Sequence, residues 1–450
     1  MEYTPAILAS AVFVGVIILT MLEWVHLTIA AFLGAMLLVF GQILTLDEAI
    51  KYIGRSYTTL ALFFGVMVLV RAFQPTKIFE YLAAQMVIQS KGQGKRLLLG
   101  IVVVTTPICA VLPNATTVML LAPLIPPMAM ELGIDYIPLL ILMVFVANSS
   151  GLLTLVGDPA TYIVGDAVNI SFLDYLTNLS LGGVIAVVTI VLMLPYLFAP
   201  IWNLQMTPAQ IETLAQQKPP VINHPRVLAV GSLIVATVLL FFVIGDFFPV
   251  PIQPAAVALM GAALALLLAH QTKIDTITHI LRDVDWSTLI FFMSTFVLIG
   301  ALEKTGVIGN LSGLLAVVLQ KNILIGVLSL TFFVGLISSV VPNIPLVVAM
   351  VPLLKKYLVT VGWVGTETLS PDFQGNFPPE VLPLFYAMML GATLGGNGTL
   401  MGASSNIVAA GVAEQHERSI SFQTFCRYGL PVMGMQLVGA ALYIVIRFLL

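Results

Sequence analysis

Charge is what this 450-residue chain has least of. Only 9% of its residues are charged, against about 25% in a typical soluble domain. Cysteine is almost absent too. Cys109 and Cys426 lie in or beside apolar stretches, so no disulfide framework or thiolate metal site follows from them. They read as small buried hydrophobes. The net charge of −3 provides no basic field, which removes nucleic acid as a partner. No phosphate-binding loop is present. Gly92-Gln-Gly94 is too short and lacks the Lys-Ser/Thr ending that loop needs. There is no zinc or thiol-hydrolase constellation, so no catalytic residue is nominated and an enzyme is not expected. No cofactor is expected either.

What remains is apolar. Hydrophobic residues make up 59% of the chain and the mean hydropathy is +1.07. They come in runs of roughly 18 to 20, enough to cross a bilayer as helices. This predicts an all-α polytopic membrane protein whose first partner is lipid. The first run, Ile7 to Met21, has no basic region before it and lacks a convincing small-residue cleavage site, which predicts a retained helix rather than a signal peptide.

The apolar runs repeat. Tyr57-Thr-Thr-Leu aligns with Trp286-Ser-Thr-Leu, an offset of 229 residues, and the same offset carries Val111-Leu-Pro-Asn114 onto Val340-Val-Pro-Asn343. Thr154-Leu-Val-Gly157 aligns with Thr399-Leu-Met-Gly402 at an offset of 245, which predicts a longer second-half loop near Thr366 to Glu380. The expected first repeat is 1–200, with scaffold helices within 5–74, a hairpin at 97–131, a broken helix at 136–168 and a span at 179–200. A cytoplasmic linker follows at 201–225. The second repeat is 226–450, with scaffold helices within 226–303, a hairpin at 321–358, a broken helix at 381–412 and a span at 429–449. With the N-terminus outside, eleven Lys/Arg fall inside and seven outside, the bias expected of cytoplasmic loops. Five crossings per half plus one re-entrant hairpin make the two repeats inverted.

Paired breaks at corresponding repeat positions point to the binding site of a transporter. The hairpin tips are Pro113-Asn114-Ala115-Thr116-Thr117 and Pro342-Asn343-Ile344-Pro345. Proline cannot continue a helix and biases the residue before it away from helical angles. Each tip therefore frees backbone groups that protein, water or ligand must satisfy within the membrane. The helix starts beyond the tips favour an anion. The broken helices concentrate Gly, Ser, Thr and Asn: Asn148, Ser150, Gly151 and Thr154 in the first, Gly396, Asn397, Thr399, Ser404, Ser405 and Asn406 in the second. Freed carbonyls there suit a small cation. Asp158 is the one carboxylate expected near the membrane midplane, where an ionisable residue signals a cation or proton site. It is also placed to cap a helix starting at Pro159. Its repeat counterpart is Ala403, so any role for this acid belongs to one half only.

At these residues the chain resembles the ion transporter superfamily, which includes arsenite permeases, sodium/proton antiporters, citrate and dicarboxylate symporters and the melanosomal P protein. The segment from Leu394 through Gly396-Asn397-Gly398-Thr399 to His416 is most similar to the arsenite permease and P protein branch. Thr154-Leu-Val-Gly-Asp-Pro159 resembles that branch's Gly-Asp-Pro-Pro-Asn motif. The resemblance implies a homodimer with a scaffold and a mobile transport domain working as an elevator. It also implies that both tips and both broken helices line the site. Two departures shape the expectation. Pro113 and Pro342 stand where the branch usually has Asp before the tip Asn, and Thr161 replaces the motif's final Asn. Fewer acids make the site less negative and favour an anionic or neutral substrate.

The chain is therefore expected to be a secondary transporter of a small inorganic or carboxylate anion in the plasma membrane. Asn114, Thr116, Thr117, Asn343, Asn397, Thr399 and Asn406 would contact the substrate. Asn148, Ser150, Gly151, Thr154, Asp158, Gly396, Ser404 and Ser405 would form the coupling-ion or supporting shell, with Na⁺ near Asn114, Asp158 and Asn343, or a proton, as coupling ion. The rival readings are a sodium/proton antiporter cycling on Asp158, a passive anion channel and an arsenite exporter.

Overall fold

The structure is a computed structural model describing residues 3–22, 24–205, 221–370, 373 and 375–450. The centre of the expected linker, with Pro208, Pro219 and Pro220, lies outside the described residues. The first half contains α1 (Tyr3–Met21), α2 (Leu27–Phe40), α3 (Leu46–Gly54), α4 (Tyr57–Phe73), α5 (Ile78–Ser90) and α6 (Gly94–Cys109). It continues with α7 (Asn114–Leu121), α8 (Ile125–Glu131), α9 (Tyr136–Ser150), α10 (Pro159–Ala167), α11 (Phe172–Asn178) and α12 (Ser180–Leu197). The second half contains α13 (Pro225–Ile244), α14 (Pro254–Thr272), α15 (Ile277–Arg282), α16 (Trp286–Lys304) and α17 (Val307–Leu319). After these come α18 (Ile323–Ser338, with a π turn at Leu330–Val334), α19 (Asn343–Thr360), α20 (Leu382–Gly395), α21 (Ser404–Gln415) and α22 (Phe422–Ile444).

All named elements among the described residues are helical, and eight helices are long and apolar enough to cross a membrane. The element order of the first half recurs in the second, with α11 as the unmatched helix. The extra second-half residues form a short 3₁₀ turn at Thr366–Leu369 and the loop leading to α20. The paired helices α4 and α16 run in opposite directions. Tyr57 at the start of α4 and Glu303 at the end of α16 line one cavity, while Arg71 at the end of α4 and Asp285 just before α16 line another.

Small residues bring these helices together. α14 buries Ala255, Ala258, Ala262, Ala265 and Ala269 along one face. That i, i+3/i+4 stripe lets backbones approach closely inside a membrane. It packs on α4, where a Cβ at Gly65 would lie 2.6 Å from the Ala258 carbonyl carbon. Short amphipathic helices precede α4 and α16. α3 starts with a capping box, Thr45 accepting from the Glu48 N–H and Glu48 accepting from the Thr45 N–H, which satisfies two free donors at once. An acid in or just after each of these helices pairs with a base on the opposite half: Glu48 with Lys304 at 2.7 Å, and Asp283, which follows α15, with Arg71 at 2.6 Å.

The hairpins and broken helices form the other block. α6 turns back at Pro113 into α7, and α18 turns back at Pro342 into α19. α9 stops at a 3₁₀ turn (Gly151–Leu153) and the chain resumes as α10. α20 stops at Gly395 and resumes as α21. The same pair of glycines folds each break onto itself. A Cβ at Gly157 would lie 2.7 Å from the Gly151 carbonyl oxygen, and a Cβ at Gly402 would lie 2.7 Å from the Gly396 oxygen. Only glycine permits that approach. The hydroxyls of Thr154 and Thr399 then anchor each break to the end of its own hairpin arm. Thr154 donates to the Ala110 carbonyl at 2.5 Å, and Thr399 donates to the Ser339 carbonyl. These acceptors are themselves 229 residues apart, so the repeat seen in sequence is a repeat of contacts.

Candidate functional site

Four helix starts meet around the breaks. Asn114 opens α7, Asp158 caps α10, Asn343 opens α19 and Ala403 precedes α21. All four are buried. Only α10 has a side-chain cap, Asp158 accepting from the Ala160 N–H at 3.2 Å. The residues before the other three carry no side-chain cap hydrogen bond, but at the start of α7 the Asn114 Oδ1 accepts from the Ala115 N–H at 2.8 Å. Uncapped helix starts present N–H groups and the positive end of the helix dipole, an arrangement that attracts anions.

The side chains sort into two clusters. One is built around Asn148. Its Oδ1 accepts from Asn114 at 3.2 Å and from the Ser405 hydroxyl at 2.5 Å, and its Nδ2 donates to Asn397 and Asn406, both at 3.0 Å. Asn406 donates in turn to the carbonyls of Gly396 and Thr399, each at 2.8 Å. Asn397 donates to Gln436 at 2.9 Å and to Ser149 at 3.2 Å, and Gln436 donates to Ser149 at 2.8 Å and to the Ala186 carbonyl at 3.0 Å. An amide offers two donors and two acceptor lone pairs, and Asn148 uses all four. This network links α7, α9, α21, α22 and α12 without one formal charge.

The other cluster is built around Asp158. Thr393 donates to its Oδ2 at 2.7 Å, and Asn343 donates to its two oxygens at 3.4 and 3.5 Å. Both partners come from the second half. Asp158 is fully buried and forms no ion pair among the described residues.

The nominated residues therefore divide by role. Asn114, Asn148, Asn397, Ser405 and Asn406 share one network, while Asp158 and Asn343 share the other. Thr154 and Thr399 anchor the breaks through their hydroxyls, and Gly151 and Gly396 serve the close backbone approach. Ser150 donates to Thr106 at 3.2 Å. Ser404 is half-buried at the first turn of α21. The hydroxyls of Thr116 and Thr117 are buried without a hydrogen-bond partner, and Thr116 lines a cavity of about 230 Å³ at the Arg71 end of α4. Among the described residues, no three His, Cys, Asp or Glu side chains gather where they could hold a metal ion. Three participants were not nominated: Ser149, Thr393 and Gln436. Gln436 had a signal, as a lone amide inside the apolar run of α22.

A second cavity, of about 880 Å³, opens at the Tyr57 end of α4. It lies between α4 and α16 on one side and α10 and α19 on the other, and Thr58 donates to Asp166 at 2.9 Å across it. Two cavities at opposite ends of α4, flanking a buried polar centre, give the architecture of a membrane transporter.

Comparison with known proteins gives that class its family. The family model described as citrate transporter matches residues 17–371, and the chain belongs to that family. It is 68% identical over 440 residues to an uncharacterized transporter of Synechocystis sp., covering 98% of this chain and 97% of that protein. It is 28% identical to the human P protein over 98% of this chain and 60% of that longer protein. Its fold is similar to the crystal structure of the Alcanivorax borkumensis YdaH transporter, with a TM-score of 0.61 and 12% identity, over 91% of this chain and 88% of that one.

Proposed function

We propose that the chain is a secondary transporter of a small carboxylate or oxyanion, coupled to Na⁺ or H⁺, in the plasma membrane. The observation that carries the reading is the donor-rich centre. Uncapped helix starts at Asn343 and Ser404 stand beside amide and hydroxyl side chains, with Asp158 as the acid among them. Free N–H groups and dipole ends stabilise an anion and draw little from a cation. The buried, partnerless Thr116 hydroxyl supplies a further donor at the Arg71-side cavity. The family's description makes citrate the first candidate substrate.

We read 78–198 and 307–450 as the moving block and the helices of 3–76 and 225–304 as the scaffold. The block would slide past α4 and α16 in a homodimer, exposing the centre alternately to the two cavities. The two halves would then be inverted repeats, a reading that the opposed directions of α4 and α16 support.

A thermal-shift screen tests the substrate class. The purified protein is melted with arsenite, phosphate, sulfate, chloride, citrate or succinate, in sodium or potassium buffer. A ligand at a hundred times its Kd stabilises by about 2.7 kcal/mol. One anion raising the melting temperature, with citrate expected first, is the predicted result. No response to any anion, with a response to sodium alone, would replace the anion reading with an antiporter.

A further inference from the structure

We propose that Thr58 and Asp166 form a latch, present at one end of the molecule only, that sets the resting position of the moving block against the scaffold. Lys355 is the counter-ion that the block carries to Asp166 when the latch opens. The latch deepens the transport reading and depends on it for the division into block and scaffold.

The contact between α4 of the scaffold and α10 of the block changes character along its length. At depth it is aromatic. Phe63 stands edge-on to Tyr162, with ring centroids 6.1 Å apart, and edge-on to Phe292 of α16 at 5.9 Å. Apolar contact has no preferred direction, so such a face can slide. At the mouth of the large cavity the contact is polar. The buried Thr58 donates its hydroxyl to Asp166 Oδ2 at 2.9 Å. A hydrogen bond weakens steeply once its geometry is lost, and one to a charged acceptor is about twice as strong as a neutral one. The bond therefore fixes a position where the aromatic face fixes only a surface.

The repeat makes the latch one-sided. The offset of 229 carries Thr58 onto Ser287, whose hydroxyl pairs at 2.7 Å with Thr28, a residue of the scaffold itself. The offset of 245 carries Asp166 onto Gly411, which has no side chain to bond. These positions form no equivalent bond at the other end. A carboxylate that leaves its donor needs another partner. Lys355 on α19 lines the same cavity, and Asp166 is the carboxylate whose charge acts on it. Among the described residues Lys355 forms no ion pair, and its Nζ lies 5.5 Å from the centre of the Phe377 ring. Its counterpart in the first half is Pro126, so this base also belongs to one end only. α10 and α19 pack together within the block. Lys355 therefore travels with Asp166, while Thr58 stays with the scaffold, and the carboxylate exchanges one partner for the other. Thr58 and Lys355 are positioning residues that act through Asp166.

The test is the distance between spin labels at Lys51→Cys on α3 and Lys356→Cys on α19, both exposed positions, measured by double electron–electron resonance on the full chain in liposomes. Cys109→Ala and Cys426→Ser remove the native thiols, and an excess of unlabelled protein removes distances between copies. Two distances are expected, one of them dominant. Thr58→Val should move their ratio about tenfold toward the minor one, the lower end for a hydrogen bond to a charged acceptor, and Thr58→Ser should restore it. Lys355→Met should move the ratio the opposite way. In an Asp166→Asn background it should move nothing, a coupling that a merely structural lysine would not show. Two distances whose ratio Thr58→Val leaves unchanged would overturn the latch and leave the sliding block standing. A single distance that no variant alters would overturn the sliding block and the latch together. Either result leaves the anion screen untouched.

Discussion

The two halves of this protein share a backbone and differ in charge. Each break is closed by a glycine pair where an added Cβ would lie 2.7 Å from the partner's carbonyl oxygen, and each is anchored by a threonine to its hairpin arm. The first half then places a carboxylate at its helix start, where the second half places Ala403 and a set of amides. The halves thus share what shapes the breaks and differ in what fills them. The difference teaches that repeat symmetry predicts geometry here and fails to predict chemistry.

The strongest way to break that comparison is to restore the symmetry. Ala403→Asp would bury a second carboxylate beside an amide network that carries no formal charge. An uncompensated buried charge costs about 3 kcal/mol or more, so the melting temperature should fall sharply. A wild-type melt would mean that the Asn148 network can reorganise around charge.

Removing the centre of that network comes next. Asn148→Ala leaves Asn114, Asn397, Asn406 and Ser405 each short of a partner, at about 1 to 3 kcal/mol for a buried group left unmade. Chemical or thermal denaturation should report at least the lower part of that range. Gln436→Leu should cost less, about 1 kcal/mol, because Asn397 and Ser149 keep each other.

The glycine pairs sharpen the comparison by asking whether the halves are equally tight. Both Gly157→Ala and Gly402→Ala should destabilise, by about 1 to 3 kcal/mol for an overpacked site. Gly157→Ala should cost more, because its Cβ would also meet the Cys109 carbonyl oxygen at 2.6 Å. Equal losses would show that the second backbone contact can give way.

The smallest effect lies at the surface. Glu48 is held down at about 2 by its hydrogen bond with Lys304 and by the Thr45 N–H. A carboxyl lowered on folding adds stability above its unfolded value, and that contribution is lost as pH falls toward 2. Lys304→Met should flatten this part of the melting-temperature profile against pH, and an unchanged profile would mean that the pair adds nothing.

Much of this was legible in sequence because it depends on residues with few alternatives. Proline before Asn114 and Asn343 set the hairpin turns, and the Gly-Ser-Thr-Asn runs set the breaks. The unequal offsets set the site of the extra loop. The sorting of side chains into two clusters was not legible, because it depends on contacts across more than two hundred residues. Asn148 and Asn397 look alike in sequence to any buried amide. Thr393 and Ser149 look like ordinary small residues of membrane helices, and their value comes from what faces them. The short helices α5 and α17 were missed because a hydropathy window blends a helix lying between spans with its neighbours.

The most direct test is accumulation of labelled citrate by proteoliposomes under an imposed proton gradient, in the wild type and in Asp158→Asn. The wild type is expected to concentrate citrate above its equilibrium level, and the variant is not. Equal accumulation by both would contradict this.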